Sequence, residues 1–338
     1  MKALVTGATG FVGSHIVECL VGEGMDVACL VRPTSDLTFL RTLPVEIIPG
    51  RLDDPADAAR AAKGADYIFH VAGVTKARSL EEYLAANVSV TEAFLEAVVR
   101  LPEPPRRFVY ISSLAAVGPN PRPVPLDESA EPRPHDNYGL SKLRGEQAVL
   151  RMARRLPVTV VRPPAVYGPR DTNMLPLFRF CQRWGMAPIL GSGNNEMTLA
   201  EVTDLARGTW LAARSDAAIG QVYFIASSTS TLAELADAMA FALGRRLRTI
   251  RVPAPVARLI GELGELKWTL TGKPQIISRR KVRDALQPRW TCSWAKAERE
   301  LGYKPAFDLP RGLRRTAEWY AQQGWIKPLP SAGYAARA

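Results

Sequence analysis

The stretch Thr6-Gly7-Ala8-Thr9-Gly10-Phe11-Val12-Gly13 decides the fold, because it joins an apolar strand to an apolar-periodic helix through a turn rich in glycine. In such a unit Gly7 permits a tight turn, Gly10 lets the backbone approach a pyrophosphate, and Gly13 lets the helix lie close to the sheet. The helix N-terminus offers N–H groups and a positive dipole end to the anion. The sequence therefore predicts a dinucleotide-binding turn formed by Gly7, Thr9, Gly10, Phe11, Val12 and Gly13.

Short apolar runs alternate with helical patterns through the first half of the chain, which is typical of a parallel sheet covered by helices on both faces. The predicted strands are 2–6, 26–32, 45–48, 67–70, 107–112 and 158–162, and the predicted helices are 11–23, 55–63, 80–100 and 138–154. We predict an α/β fold with a doubly wound parallel sheet (Rossmann) over residues 1–165, to which the chain returns near 201–225. A smaller, helix-rich substrate domain is expected over residues 166–330.

The helical pattern at 80–100 is the most regular one. Leu84, Val88, Leu95 and Val98 recur at spacings of three, four and seven, which predicts one buried stripe. The stripe is expected to pack on the sheet or on a second subunit.

The composition of the 338 residues, 47% hydrophobic and 23% charged, excludes a chain that is disordered throughout. Its apolar runs are far shorter than the roughly 18 residues of a membrane-spanning helix. The start MKALVTGATG enters a strand directly and lacks the pattern of a secretory signal, so we expect a cytoplasmic protein. The four cysteines contain no C-x-x-C pair, which predicts buried thiols and neither disulfides nor a metal site.

The net charge of +11 is unevenly distributed. Residues 244–338 hold 20 Lys and Arg against 7 Asp and Glu, whereas residues 1–243 hold 24 against 26. Such a positive field attracts phosphates, anionic headgroups or acidic substrates. The densest run, residues 278–283, has no interleaved aromatics and no nucleic-acid-binding signature, so no nucleic-acid partner is predicted. A solvated helix face is the commoner explanation for this run.

Tyr138 and Lys142 stand four residues apart at the start of a predicted helix, hence on one face. A phenol becomes a usable acid or base near neutral pH only when its anion is stabilised, and an ammonium one turn away can do this. The strand before them delivers Ser112 and Ser113 to its carboxyl end, where open α/β sheets bind ligands. These residues are the candidate catalytic group.

The second predicted strand ends in Arg32, where enzymes that prefer NAD carry an acidic residue for the ribose 2′-hydroxyl. An arginine favours a 2′-phosphate. The sequence therefore favours NADP over NAD, with an ordinary surface arginine as the alternative interpretation.

Taken together, these motifs resemble those of the extended short-chain dehydrogenases/reductases, the NAD-dependent epimerase/dehydratase family, with the dihydroflavonol-reductase-like and 3β-hydroxysteroid-dehydrogenase-like enzymes as the most similar branch. The motifs, in family order, are TGATGFVG, YIFHVAG, Asn87 in AANVSVTEAFLEA, VYISSLAAVG, YGLSK and VRPPAVYGP. The likeness covers nearly the whole chain.

The resemblance implies a role for each residue of the site. Tyr138 donates or removes the hydroxyl proton, Lys142 lowers its pKa and binds the nicotinamide ribose, and Ser113, with Ser112 as the alternative, orients the substrate oxygen. Further residues expected at the cofactor are Asp53, Val71, Ala72, Pro163 and Val166.

Three departures from the family pattern narrow the substrate class. Arg51 stands where many members carry an aspartate against the adenine, and it could instead join Arg32 near a 2′-phosphate. No acidic pair follows Ser113, which disfavours sugar dehydration. Met197 replaces the arginine with which sugar-nucleotide enzymes clamp a diphosphate. The sugar-nucleotide interpretation stays open because other arginines could bind the diphosphate, namely Arg170, Arg179 or Arg183.

Two further features have more ordinary interpretations. Residues Val252, Val256, Leu259, Ile260, Leu263 and Leu266 recur at helical spacing beside Arg258, Lys267 and Trp268. This favours a lid or core helix, with weak contact to an anionic membrane as the alternative. The histidines, His15, His70 and His135, are expected to be structural.

We therefore expect first an NADP- or NAD-dependent reductase or dehydrogenase acting on a carbonyl or secondary alcohol of a small, fairly apolar molecule. The alternative is an NAD-dependent sugar-nucleotide epimerase, and a nucleotide sensor without catalysis is a third class. By analogy we expect a homodimer formed through the helices at 80–100 and 138–154.

Overall fold

The computed structural model describes residues 1–271 and 279–330. The strands are β1 (Lys2–Thr6), β2 (Asp26–Val31), β3 (Val45–Pro49), β4 (Tyr67–His70), β5 (Arg107–Ile111), β6 (Val158–Arg162), β7 (Ala165–Tyr167), β8 (Met186–Leu190), β9 (Glu196–Glu201), β10 (Val222–Phe224), β11 (Ser228–Thr231), β12 (Arg248–Val252) and β13 (Arg289–Trp290). The helices are α1 (Phe11–Gly22), α2 (Pro55–Ala62), α3 (Leu80–Leu84), α4 (Val90–Val99), α5 (Asn137–Arg151), α6 (Leu175–Trp184), α7 (Val202–Arg214), α8 (Leu232–Leu243), α9 (Ala254–Thr271), α10 (Arg279–Ala285), α11 (Ala295–Leu301) and α12 (Leu309–Gln322).

Seven parallel strands form the central sheet in the order β10-β6-β5-β4-β1-β2-β3. Its strands are short and apolar because both faces are covered, as in other doubly wound sheets. The order reverses between β1 and β4, so the carboxyl ends of these strands border a crevice that can receive a ligand. The predicted α/β fold is confirmed.

Alternating side chains of the strands feed two separate apolar layers. In β5, Val109 and Ile111 join the layer that contains α1 and α7, whereas Phe108 and Tyr110 join the layer that contains α2, α4 and α5. Helices therefore cover both faces of the sheet.

The helical segment at 80–100 differs from its prediction. It consists of α3 and α4 joined by one π-helical stretch, Ala85–Ser89, and this wider turn rotates the residues that follow it. Leu84 and Val88 are only partly buried, and Asn87 faces the interior instead. The predicted stripe is therefore wrong in its first half, while Leu95 and Val98 are buried as expected.

The C-terminal elements build a smaller layer around β9, which pairs with β7, β11 and β13. Helices α6, α8 and α12 share an apolar core there, with Phe178 and Tyr320 fully buried. Strand β12 pairs with β8 in a separate two-stranded sheet and is largely exposed. This layer stands at the end of the sheet where β6 leads into β7.

The described part of the chain has no helix with the length and apolar character that crossing a membrane requires. Three of the cysteines, Cys29, Cys181 and Cys292, are buried, and Cys19 is partly buried. Burial raises the pKa of the Cys29 thiol to about 12, so the thiol stays protonated at neutral pH.

Candidate active site

The glycine-rich turn after β1 has the geometry of an anion-binding helix start. Gly7 has φ +70°, and a Cβ atom there would lie 2.6 Å from the amide nitrogen of Ala72. A Cβ atom at Gly13 would lie 2.1 Å from the carbonyl oxygen of Gly7. Helix α1 begins after Gly10 without a side-chain cap, and Thr9 is exposed beside it. The helix start is therefore open to an external anion.

Val71 and Ala72 follow β4 and lie directly against this turn. The Val71 amide donates to the carbonyl of Thr6 over 3.2 Å, and the Gly7 backbone rests on Ala72. The predicted cofactor residues of β1, α1 and β4 thus form one continuous surface.

Arg32 follows β2 at the same edge of the sheet and is exposed. Within the described ranges its guanidinium makes no hydrogen bond or ion pair. The backbone of Gly50 donates to the carbonyl of Val31, which places the start of the 50–54 segment beside Arg32. Arg32 therefore has no charged partner among the described residues, and it follows β2, the strand that pairs with β1.

Arg51 and Asp53 form an ion pair with each other. The Arg51 guanidinium donates to both carboxylate oxygens of Asp53, over 2.9 and 2.6 Å. This pair lowers the pKa of the Asp53 carboxyl and neutralises Arg51. Asp53 is thus placed at an exposed loop with its oxygens engaged, and Arg32 is the better candidate for a 2′-phosphate.

Asn87, on the π-helical stretch, ties three parts of the site together. Its Oδ1 accepts from the Val74 amide over 2.7 Å, and its Nδ2 donates to the Val74 carbonyl and to Ser141 Oγ, over 3.0 and 2.9 Å. The loop after β4 is therefore held against α5. π-Helical turns commonly mark functional sites. The pattern of apolar residues at helical spacing would not have located this one.

Two glycines let α5 approach the end of β5 closely. A Cβ atom at Gly139 would lie 2.3 Å from the carbonyl oxygen of Ala115, and one at Gly145 would lie 2.4 Å from Tyr110 Oη and 2.7 Å from the Asn87 carbonyl. Asp136 caps the helix by accepting from the Gly139 amide over 2.7 Å. This approach brings the face of α5 to the serine loop.

Ser113 and Tyr138 meet at this contact. Burial raises the pKa of the Tyr138 phenol, while the hydrogen bond with Ser113 and the charge of Arg280 lower it to a smaller extent. Ser112 is buried, and its Oγ has no hydrogen-bond partner in the described part of the chain. The structure therefore brings Ser113, and not Ser112, to the tyrosine.

Lys142 lies one turn further along α5, and its side chain is buried. Its Nζ donates to the Ile111 carbonyl over 2.7 Å and lies 4.3 Å from the centroid of the Tyr110 ring. Burial lowers the pKa of Lys142 to about 7, although Glu146 opposes this. Glu146 in turn forms a buried bidentate ion pair with Arg162 of β6, at 3.0 and 2.5 Å. Lys142 can therefore gain or lose a proton near neutral pH.

Pro163 and Val166 lie in the segment that follows β6. The Pro163 carbonyl accepts from the Leu114 amide over 2.8 Å, next to Ser113. Val166 pairs with Ala200 of β9. Pro163 therefore lies at the loop that carries Ser113, whereas Val166 lies where the smaller layer begins.

Arg280 lies against Tyr138, and sequence reasoning did not place it at the site. Its guanidinium carbon lies 4.9 Å from the centroid of the Tyr138 ring, and its Nε lies 3.7 Å from the Asp136 carboxylate. Its Nη1 is buried and makes no hydrogen bond to any described residue. The interpretation of the basic run as a solvated helix face is thus wrong for Arg280, because α10 packs this side chain against the site. Ser278, which begins the run, lies outside the described residues.

The three histidines have structural partners. His70 is fully buried between the hydroxyls of Thr6 and Thr91, at 2.8 and 3.0 Å, and burial lowers its pKa to about 3. His15 bonds the Pro169 carbonyl over 2.9 Å, and His135 bonds Asp284 over 2.9 Å.

The chain resembles known proteins along nearly its whole length. The model of the NAD dependent epimerase/dehydratase family matches residues 3–226. A ceramide reductase of Caulobacter vibrioides is 33% identical, over 95% of each chain. The 4-hydroxy-2-methyl-3-oxo-4-farnesyl-3,4-dihydroquinoline-1-oxide ketoreductase of Stigmatella aurantiaca is 29% identical, over 93% of this chain and 95% of its own. The solved UDP-glucose 4-epimerase of Thermotoga maritima has the same fold, with a TM-score of 0.78 at 23% identity over 96% of this chain and 99% of that one.

Gly145→Ala is expected to destabilise the protein by about 1–3 kcal/mol, because the added methyl group meets backbone and a buried phenol that cannot both move away. Gly22→Ala is the matched control, since it lies in α1 with nothing within 4 Å, and it should be neutral or stabilising. Urea unfolding of the two variants measures the difference. Equal stabilities would show that the close approach of α5 is not required.

Proposed function

Because the chain belongs to the NAD dependent epimerase/dehydratase family, we propose that it is a reductase that uses NADPH to convert a ketone on a long-chain, amphiphilic molecule into a secondary alcohol. The chain is an NAD(P)-dependent oxidoreductase of the extended short-chain type. The observation that carries the proposal is the Tyr138 phenol, which lies beside Ser113 with the Arg280 guanidinium over its ring.

The residues of the site account for the proton that a ketone needs during reduction. A nicotinamide cofactor, when bound, would supply a hydride, that is two electrons and one proton, for the carbonyl carbon. The Ser113 hydroxyl donates a hydrogen bond to the carbonyl oxygen, and Tyr138 Oη transfers its proton to that oxygen. Since burial raises the pKa of Tyr138, the phenol keeps its proton at neutral pH until a substrate is present. The hydrogen bond with Ser113 and the charge of Arg280 lower that pKa and so favour the transfer.

Two cations then stabilise the phenolate that remains. Arg280 lies over the tyrosine ring, and Lys142 lies one helical turn away on the same face. Lys142 can deliver a proton in the next step, because its pKa of about 7 makes it both a donor and an acceptor near neutral pH. Lys142 can thus return the proton to Tyr138, and this step needs no further acidic side chain.

The residues present fit a dinucleotide. The start of α1 has no side-chain cap and would hold the pyrophosphate, and Lys142 would bind the nicotinamide ribose. Arg32 would pair with a 2′-phosphate, which supports NADP as the cofactor, with NAD as the alternative.

Two findings support an apolar chain on the substrate. The similar proteins of Caulobacter vibrioides and Stigmatella aurantiaca are named for a ceramide and for a farnesyl-bearing ketone. In this chain Met197, which occupies the position of the diphosphate-clamping arginine, packs against the apolar core of the smaller layer.

Two of the three arginines that could have replaced that clamp, Arg170 and Arg179, are engaged elsewhere. Arg170 bonds His15 and pairs with Glu18 at 2.6 Å, and Arg179 donates to the Trp325 carbonyl over 2.8 Å. Arg183 lies on the exposed end of α6, 5.2 Å from the Trp184 ring. These contacts support the reductase over the sugar-nucleotide epimerase.

The first test is NADPH oxidation with long-chain 3-keto lipids, together with identification of any nucleotide that the denatured protein releases. We expect turnover with the wild-type protein and a loss of at least about a hundredfold in Tyr138→Phe, which cannot donate the proton. An epimerase must keep its cofactor between half-reactions. Near-stoichiometric release of NAD without ketone reduction would therefore favour the epimerase over the reductase.

Removing the Arg280 charge should change the pH dependence of reduction. Reduction needs the protonated phenol, so kcat/KM falls as the pH rises past the controlling pKa. Arg280 lowers the pKa of Tyr138, and Arg280→Gln should therefore move this fall to higher pH by about one unit and reduce kcat about tenfold. Arg280→Lys should bring both the pH profile and kcat part of the way back to their wild-type values.

The control for that experiment is the neighbouring Arg279→Gln, because Arg279 is exposed and paired with Glu262. Its pH profile should match that of the wild type. The same change in both variants would mean that total charge, and not the contact with Tyr138, is responsible.

Arg32→Gln tests the cofactor proposal. We expect the dissociation constant for NADPH to rise at least about tenfold while that for NADH changes little, since the lost partner contacts only the 2′-phosphate. Arg51→Gln is the control, because Arg51 is already bound to Asp53. An unchanged NADPH to NADH ratio in Arg32→Gln would rule out this role.

A further inference from the structure

Helix α9 carries an exposed apolar stripe. Val256, Leu259, Ile260 and Leu263 are 47%, 61%, 40% and 57% exposed, and their spacing places them on one face. They are four of the ten large hydrophobic side chains found exposed in the described ranges, so the exposure is concentrated and not scattered. We call these four residues the α9 stripe. The interpretation of this segment as a core helix is wrong for them. The side chains of Leu266 and Trp268 lie outside the described residues.

The opposite side of α9 is the one that packs on the protein. Ala257 is 1% exposed, and a Cβ atom at Gly261 would lie 3.2 Å from Val282 and 3.3 Å from the Arg279 Cα of α10. An ion pair between Arg279 and Glu262 adds to this contact. Helix α9 is therefore fixed through its small residues, and the stripe points away from its own support.

The surroundings of the stripe are strongly basic. The described residues 244–271 and 279–283 contain ten Lys and Arg but only two acidic residues, Glu262 and Glu265. Arg248 and Arg251 are exposed on strand β12, which leads into α9, and Arg258 and Lys267 are exposed on the helix itself. An apolar helical face with basic residues around it matches the headgroup region of an anionic bilayer.

We propose that the α9 stripe and its flanking cations dock the protein on the surface of an anionic lipid bilayer. The stripe enters the boundary between headgroups and acyl chains, and the cations pair with lipid phosphates. A second copy of the chain fits this face poorly, because a twofold contact would place two equally basic surfaces opposite each other.

The docking face lies one helix away from the reacting tyrosine. Helix α10 packs on α9 and holds Arg280 against Tyr138. An apolar substrate dissolved in the bilayer would thus meet the protein beside its catalytic end. The inference does not rest on the proposed function, because membrane binding is measured without turnover.

The experiment is co-sedimentation of the full chain with vesicles of phosphatidylcholine alone or of equimolar phosphatidylcholine and phosphatidylglycerol, at low and high salt. We expect binding to the anionic vesicles that weakens as salt is added. The double variant Leu259→Glu/Leu263→Glu should lower the partition coefficient at least about tenfold, since two apolar anchors are lost and two negative charges gained. Arg251→Gln/Arg258→Gln should lower it by about fivefold for each charge.

Val124→Glu is the control, because Val124 is 69% exposed on the loop between β5 and α5 and does not belong to the stripe. It should bind as the wild type does. Circular dichroism and NADPH binding verify that each variant is folded. Wild-type protein that ignores anionic vesicles, or a Leu259→Glu/Leu263→Glu protein that still binds them fully, overturns the proposal. Loss of a dimer in that variant, without any vesicle binding by the wild type, assigns the face to a second copy.

Discussion

The site depends on how closely the backbone of α5 approaches the end of β5. Gly139 and Gly145 leave no room for a side chain at two points of this contact, one against the Ala115 carbonyl and one against Tyr110 and the Asn87 carbonyl. Tyr138 and Lys142 are carried by the same helical turn and a half, so their distance from Ser113 follows from the position of the helix axis. A shift of the axis by the width of a methyl group would separate the phenol from the serine before any candidate catalytic residue had changed.

Buried charges reinforce that contact. Glu146 on α5 binds Arg162 on β6 through both carboxylate oxygens, with both side chains almost wholly shielded from water. A buried ion pair adds little net stability but tolerates few alternative arrangements, so it favours one position of α5 on the sheet. The same carboxylate favours the charged form of Lys142, which burial disfavours. Arg162 and Lys142 therefore share the anion of Glu146, and the pKa of Lys142 stays at about 7.

Much of the fold followed from local patterns, because strand alternation and the glycine turn each reflect contacts between residues near in sequence. The candidate catalytic residues were found for the same reason, since Tyr138 and Lys142 lie one turn apart. Arg280 was not found, because its contact with Tyr138 spans 142 positions and depends on how α10 packs. Asn87 faces inward through a π turn that shifts the phase of its helix, and hydrophobic period alone carries no sign of that shift. The predicted homodimer stays a prediction.

Strand β10 has a consequence for the growing chain during synthesis. Strands β1 to β6 are complete once residue 162 has been added, but the outer edge of β6 gains its partner only with Val222–Phe224. An unpaired strand edge is a template for pairing with other chains. Between these two points the nascent protein exposes β6, and the segment that covers it later must first form α6 and α7. The interval from residue 162 to residue 224 is therefore the stage of translation at which this chain most needs protection from association with its neighbours.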